Sequence, residues 1–326
     1  MSSSAFEKVL RLRPSSVAGR LSGSRVCLLN ARDVQRSLGS GLVVACEAPA
    51  EPIAAGIARA ARHQGAAIGL SFPALPFGEA PRAHAASQLL LAAVQESGLE
   101  LPLFLRAGPI PISEATEAGV SQAREAVFRL VDGGFTEACL DVSRLGPSEA
   151  GAAVAEAGAA LRERELSLEV ATGTVDPHAL AELAGSLGVA GVRADVMSLK
   201  GAALANVEDL GPLVRAIEPT ALAVVDPLGP VRGSGVRRVV ISAPFCRVAV
   251  AALPEEAKDA IRAKALEGWS IPAAIAQALK RAVLSEEARE RMEALAYLEA
   301  MDVLEAAGAR ASGSVSLTFL SERSGY

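Results

Sequence analysis

Short apolar runs alternate with longer segments of helical spacing along this chain, and the alternation repeats eight times. Each apolar run is too short for a helix and is bounded by Gly, Pro or polar clusters, which is how a strand buried on both faces reads. Strands are predicted at 42–46, 66–71, 101–105, 136–140, 166–170, 189–196, 221–225 and 236–241. Helices are predicted between them at 53–64, 82–97, 113–131, 148–164, 177–186 and 207–217. The clearest unit is 132–146, DGGFTEACLDVSRLG. A helix stops at Gly133-Gly134, a buried strand follows, and Asp141, Ser143 and Arg144 sit past its end.

Eight strands, each followed by a helix or helix-like run, predict a (β/α)8 TIM barrel, with an open doubly wound sheet as the alternative closure. The barrel is expected over 31–310, after an N-terminal extension (1–30) and before a C-terminal tail (311–326). Within the extension, 5–12 reads as a short helix and 15–24 as a Ser/Gly-rich linker. Asn30 then caps a helix that stops at Gly39. Past the last strand, 254–267, 271–283 and 285–307 read as three extra helices, the last with an apolar stripe at Met292, Leu295, Leu298 and Met301. In the tail, Val315, Leu317 and Phe319 alternate with Ser and Thr, which suggests either a strand awaiting a partner chain or a disordered end.

Composition narrows the partners. The chain is 51% hydrophobic but only 3% aromatic, so the apolar content is Ala, Leu and Val, suited to helices on parallel strands. Net charge is −5 with no basic block, which argues against nucleic acid. No charge-free apolar run reaches the roughly 18 residues of a membrane helix, and no signal peptide is expected. Cys27, Cys46, Cys139 and Cys246 are widely spaced and read as reduced core thiols in a cytoplasmic protein.

Five segments in order resemble the class II, zinc-dependent ketose-bisphosphate aldolases, including the tagatose-bisphosphate branch. The likeness runs from about Arg32 to Ile241. Gly133-Gly-Phe-Thr through Leu140-Asp-Val-Ser143 is similar to the family's A-G-F-T-x-V-M-I-D-x-S-H. Segment 166–173 is similar to V-S-V-E-A-E-L-G, and Val175-Asp-Pro177 to T-D-P. Segment 188–201 is similar to G-V-D-A-L-A-V-A-I-G-T-x-H-G, and 235–241 to G-I-x-K-V-N-I. The resemblance implies the barrel fold and assembly as a homo-oligomer, a dimer or tetramer, with a protein partner also open.

The family's working residues do not carry over. Where its third strand ends in H-x-D-H, this chain has Leu105-Arg-Ala-Gly-Pro109. After strand 4 the family's S-H corresponds to Ser143-Arg144, its zinc histidines after strands 6 and 7 correspond to Lys200 and Asp226, and a family Glu corresponds to Ala171. Pro227 and Pro230 stand where a Gly-rich phosphate loop needs backbone N–H groups. The three histidines, His63, His84 and His178, fall on helices or loops rather than strand ends. No metal and no cofactor is therefore expected.

The charges left for the mouth are Glu47, Arg106, Asp141, Arg144, Asp195, Lys200 and Asp226, with Ser143 beside them and Glu169 one layer deeper. Three readings follow. Lys200 and Asp226 could pair, an ammonium replacing the lost cation, in a catalytically degenerate barrel that serves as a structural, regulatory or accessory protein. The non-catalytic accessory subunit of tagatose-bisphosphate aldolase is the analogy. Alternatively, Lys200 forms an imine in a metal-independent lyase on a phosphorylated or acidic carbohydrate-type substrate, with Asp141 or Asp226 moving protons. Or Arg106, Arg144 and Lys200 bind an anionic small molecule.

Overall fold

A computed structural model describes residues 3–73, 83–227 and 229–323. The chain runs α1 (Ser3–Leu10), α2 (Ser15–Ala18), α3 (Ala31–Ser37), β1 (Val43–Glu47), α4 (Glu51–Gln64), β2 (Ile68–Phe72), α5 (Ala83–Ser97) and β3 (Leu103–Pro111). It continues with α6 (Glu117–Gly133), β4 (Glu137–Asp141), α7 (Pro147–Ala157), α8 (Ala159–Glu163), β5 (Ser167–Ala171), α9 (Pro177–Val189) and β6 (Val196–Lys200). After a short 3₁₀ turn come α10 (Gly211–Ala216), β7 (Ala221–Val225), β8 (Arg238–Ile241), α11 (Ala243–Ala252), α12 (Glu255–Leu266), α13 (Ile271–Arg281), α14 (Glu286–Ala306) and α15 (Ser312–Arg323). The strands close in sequence order, β1 pairing with both β2 and β8, and every pairing is parallel. This is the (β/α)8 barrel that the alternation predicts, with extra helices.

Local signals place the elements well. Asn30 caps α3, its side chain accepting from the Arg32 N–H. Gly134 ends α6 in the left-handed conformation, φ 103°. Ser285 caps α14 by accepting from the Ala288 N–H. Strand β7 matches its predicted bounds. Strand β6 does not: Val189 finishes α9, Gly191 turns at φ 69°, and the strand begins only at Val196. Strand β3 runs past its predicted end to Pro111 through a bulge between Ala107 and Ile110. Helix α11 is an element the sequence reading missed.

The C-terminal helices close the outer layer. Helix α14 packs along α4 through Met292, Ala296, Ala300 and Leu304, all buried, while Leu298 of the predicted stripe faces solvent. The approach is close because α4 offers Gly56, where a Cβ would stand 2.4 Å from the Glu293 carbonyl oxygen. The tail is neither strand nor disordered coil over its described part. Residues Ser316, Leu317 and Leu320 are buried at helical spacing on α15, and Val315 is exposed. Together α1, α3 and α15 cover the N-terminal end of the barrel, their Phe6, Val9, Val34, Leu317 and Leu320 joining Val43, Ala45 and Phe104 in one cluster. Extension and tail thus form the floor beneath the strands.

Candidate functional site

Alternation along a strand sends every second side chain into a barrel, and the innermost positions here are charged. Arg106 (β3), Glu137 (β4), Glu169 (β5) and Arg238 (β8) are buried, none more than 1% exposed. Arg106 holds Glu169 in a fork, Nε and one terminal nitrogen each 2.7 Å from a carboxylate oxygen, and its other nitrogen donates to Ser71 Oγ at 2.9 Å. Arg238 reaches across to Glu137, one nitrogen donating to both oxygens at 2.6 and 2.7 Å, and stacks 4.8 Å from the Phe104 ring centre. Gly69 makes room for that ring: a Cβ there would meet it at 2.4 Å. Burial alone would raise the Glu169 carboxyl, but Arg106 beside it outweighs this and holds it down at about 2. At Glu137 burial wins over Arg238, and its carboxyl moves up. This layer fills the barrel with two forked ion pairs in place of apolar side chains.

Above it lies the mouth. Glu47 ends β1, only 4% exposed. One oxygen accepts from Ser71 Oγ at 3.1 Å and the other has no partner. Burial pushes its carboxyl up to about 7, against the pull of Arg106. Asp141 ends β4, and its Oδ1 accepts from the Ser143 N–H at 2.9 Å, closing a local turn. Ser143 and Arg144 are exposed. Lys200 ends β6, which runs four residues past its predicted end, and it is exposed and makes no ion pair among the described residues. Asp226 follows β7 in a left-handed conformation, φ 48°, and its Oδ1 accepts from the N–H groups of Ser242 and Ala243 at 2.7 and 3.0 Å. It caps α11 from a neighbouring strand, since Ser242 itself makes no side-chain cap. Gly201 lets the two strand ends meet, for a Cβ there would stand 2.1 Å from the Asp226 carbonyl oxygen.

Three sequence expectations are corrected. The Lys200–Asp226 pair does not form, because the Asp226 carboxylate is engaged by α11. Arg106 is not at the mouth: the longer β3 places it in the interior layer, locked to Glu169. Asp195 lies at the opposite end, before β6, where its carboxylate accepts from the Leu168 N–H at 3.2 Å and meets Arg32 at 3.5 Å. Glu169 is one layer below the mouth, as expected. Sequence reasoning missed Glu137 and Arg238. Their signal was available: single charges inside otherwise apolar strands, two acidic and two basic when Arg106 and Glu169 are counted.

The histidines stay on helices. His63 of α4 bonds the Tyr297 hydroxyl at 3.0 Å, and His178 is on the first turn of α9. The side chain of His84 lies outside the described residues, as does Leu228. All four cysteines are free and buried, and burial pushes Cys27 and Cys246 up to about 12. Among the described residues, no three His, Cys, Asp or Glu side chains gather as a metal site would need, and no helix is long and apolar enough to cross a membrane. A zinc ion also fits poorly with what the mouth contains: Asp226 is engaged by two backbone donors, and Lys200 and Arg144 are cations.

The N-terminal end is different. Two adjoining cavities of about 210 and 480 Å³ open there, sharing Arg32, Arg36, Arg193 and Asp195 as a common wall. The smaller one lies between α3 and the starts of β6, β7 and β8.

No family model matches the sequence, and no curated protein does. Solved structures match the fold. The YdjI aldolase from Escherichia coli K12 superposes with a TM-score of 0.62 at 13% identity, over 88% of this chain and 99% of that one. A fructose-bisphosphate aldolase from Campylobacter jejuni gives 0.58 at 11% identity, over 85% and 92%. A putative fructose-1,6-bisphosphate aldolase from Coccidioides immitis gives 0.56 at 15%, over 87% and 97%.

Proposed function

We propose that this chain is an aldolase-like barrel without aldolase chemistry, acting as a structural, regulatory or accessory protein through contacts with itself or a protein partner. The observation that carries this reading is the engagement of Asp226. By the sequence resemblance it stands where a zinc ligand would be, yet its carboxylate is tied to the backbone of α11. The other corresponding position, Lys200, offers an ammonium group, and Arg144 past β4 adds a guanidinium; both repel a divalent cation. The neighbours in fold are named as aldolases, which supports descent from that group. Buried free thiols suit a reducing, cytoplasmic setting. Self-association as a dimer or tetramer belongs to the same reading and is read out by light scattering.

One observation favours a second reading. Glu47 keeps a buried, half-unpartnered carboxyl that titrates near neutrality, and Lys200 is reachable at the same mouth. Those are the groups an imine-forming lyase would use. One assay addresses both. Purified protein is given a ketose bisphosphate with and without zinc, then borohydride. The proposal expects no cleavage above background and no trapped adduct. Zinc-dependent cleavage would overturn it, and an adduct on Lys200 would replace it with the lyase.

A further inference from the structure

We propose that the floor of the barrel binds a small dianionic oxyanion, phosphate or the phosphate group of a phosphomonoester, in the cavity between α3 and the starts of β6, β7 and β8. This site is at the opposite end from the mouth, and the proposal stands or falls independently of the function proposed above.

Five arginines line the cavity of about 210 Å³, Arg32, Arg36, Arg193, Arg237 and Arg238, against two acidic residues, Asp195 and Glu218. Asp195 is already engaged by Arg32 and by the Leu168 N–H. Setting Glu137 against Arg238 still leaves an excess of two positive charges among the residues around this open cavity. A charge of −2 answers that imbalance.

The second observation is the distribution of unsatisfied buried atoms. Arg238 is fully buried, and while one of its nitrogens binds Glu137, its Nε and Nη2 have no hydrogen-bond partner. Arg237 Nε lacks a partner too. Both residues line this cavity. A buried guanidinium nitrogen without an acceptor is costly; these have almost no accessible surface in the ligand-free chain, so a tetrahedral oxyanion, which offers several acceptors in the geometry that arginine favours, reaches them as the two side chains turn toward the cavity. Folding holds these donors in place. Helix α3 is fixed across the floor by Asn30 Nδ2 donating to the Glu165 carbonyl at 2.6 Å and Gln35 Nε2 donating to the Arg237 carbonyl at 3.0 Å.

The adjoining cavity suggests what an ester would carry. It continues past Arg36 and Arg193 into a space of about 480 Å³ walled partly by Val154, Leu161, Leu168 and Val192. A phosphomonoester could seat its phosphate in the smaller cavity and its organic part in the larger one.

The test is calorimetry and thermal shift of the full chain with inorganic phosphate, at ionic strength held constant with chloride, followed by glycerol 3-phosphate. Arg36 and Arg193 are exposed, so the double variant Arg36→Ala/Arg193→Ala keeps the fold, which circular dichroism checks. Phosphate is expected to bind and stabilise the native chain, and the double variant to lose affinity at least about tenfold. Tighter binding of glycerol 3-phosphate than of phosphate extends the site into the second cavity; equal binding restricts it to the oxyanion. No binding of either probe, or an equal response in the double variant, overturns the proposal. So does binding lost in Arg144→Ala but kept in the double variant, which would move the anion to the mouth.

Discussion

The two ends of this barrel both gather charged side chains but use them differently. At the C-terminal mouth the carboxylates are satisfied locally: Asp141 by the Ser143 N–H, and Asp226 by the first turn of α11. The cations there, Lys200 and Arg144, face water. At the N-terminal floor, buried guanidinium nitrogens of Arg237 and Arg238 remain without acceptors, in residues that line an open cavity. Barrels of this kind place chemistry at the mouth, because the loops after the strands are free to vary there. In this chain the unmet polar capacity, Glu47 excepted, has moved to the end where conserved features ordinarily read as stability. Helix α3, lying across that end, supplies Arg32 and Arg36 to the cavity wall.

Between the two ends lies the charged layer, and breaking it has the largest expected effect. Arg238→Leu leaves Glu137 buried and unpaired, so urea denaturation should show a loss of about 3–5 kcal/mol. The double variant Arg238→Leu/Glu137→Leu should recover most of it. A nearly neutral single variant would show that Glu137 does not depend on Arg238 as its buried partner.

Glu47 gives the next effect, and it is pH-dependent. Its folded pKa of about 7 lies above the ordinary 4.5, so the folded chain holds the proton more tightly than the unfolded chain. Ionisation carries no penalty below the unfolded value. The penalty grows as pH rises through 4.5 to 7 and is complete above that. It amounts to about 3 kcal/mol. Glu47→Gln should therefore flatten the loss of stability between pH 5 and pH 8 and be the more stable chain at pH 8. An unchanged pH profile would show that Glu47 is wetter than its burial indicates.

Asp226→Ala sharpens the contrast at the mouth. It removes the acceptor for two helix N–H groups and should cost about 1–2 kcal/mol in thermal melts. Lys200→Ala is the smallest case. With no ion pair and an exposed side chain, it should shift stability by less than about 0.5 kcal/mol. A loss as large as that of Asp226→Ala would restore the pairing that the sequence suggested.

The fold was legible because it rests on repetition. Alternating short apolar runs and helical segments place seven of the eight strands, β6 being set too early, and caps such as Asn30 and Ser285 act through neighbours in sequence. Lys200 and Asp141 were also readable, since each closes an apolar run. What failed depended on register or distance. Asp195 was assigned to the mouth because Val189 and Val192 extend the apolar pattern of β6 backward, although Val189 belongs to α9. Arg106 was misplaced because the bulge carrying β3 onward leaves no signal in residue type. The tail read as a strand because its alternation at Val315, Leu317 and Phe319 also allows a helix with Leu317 and Leu320 inward. The floor cavity was beyond sequence reading altogether. Its walls come from four stretches, around 32–36, 193–196, 218–222 and 235–238, that only barrel closure brings together.

Zinc titration of the purified, metal-stripped chain by calorimetry, with metal analysis of the product, tests the central claim most directly. With Asp141 and Asp226 engaged by backbone donors and Lys200 and Arg144 as cations beside them, the mouth should take up no stoichiometric zinc. One zinc per chain, lost in Asp141→Ala or Asp226→Ala, would contradict the account and return the mouth to metal chemistry.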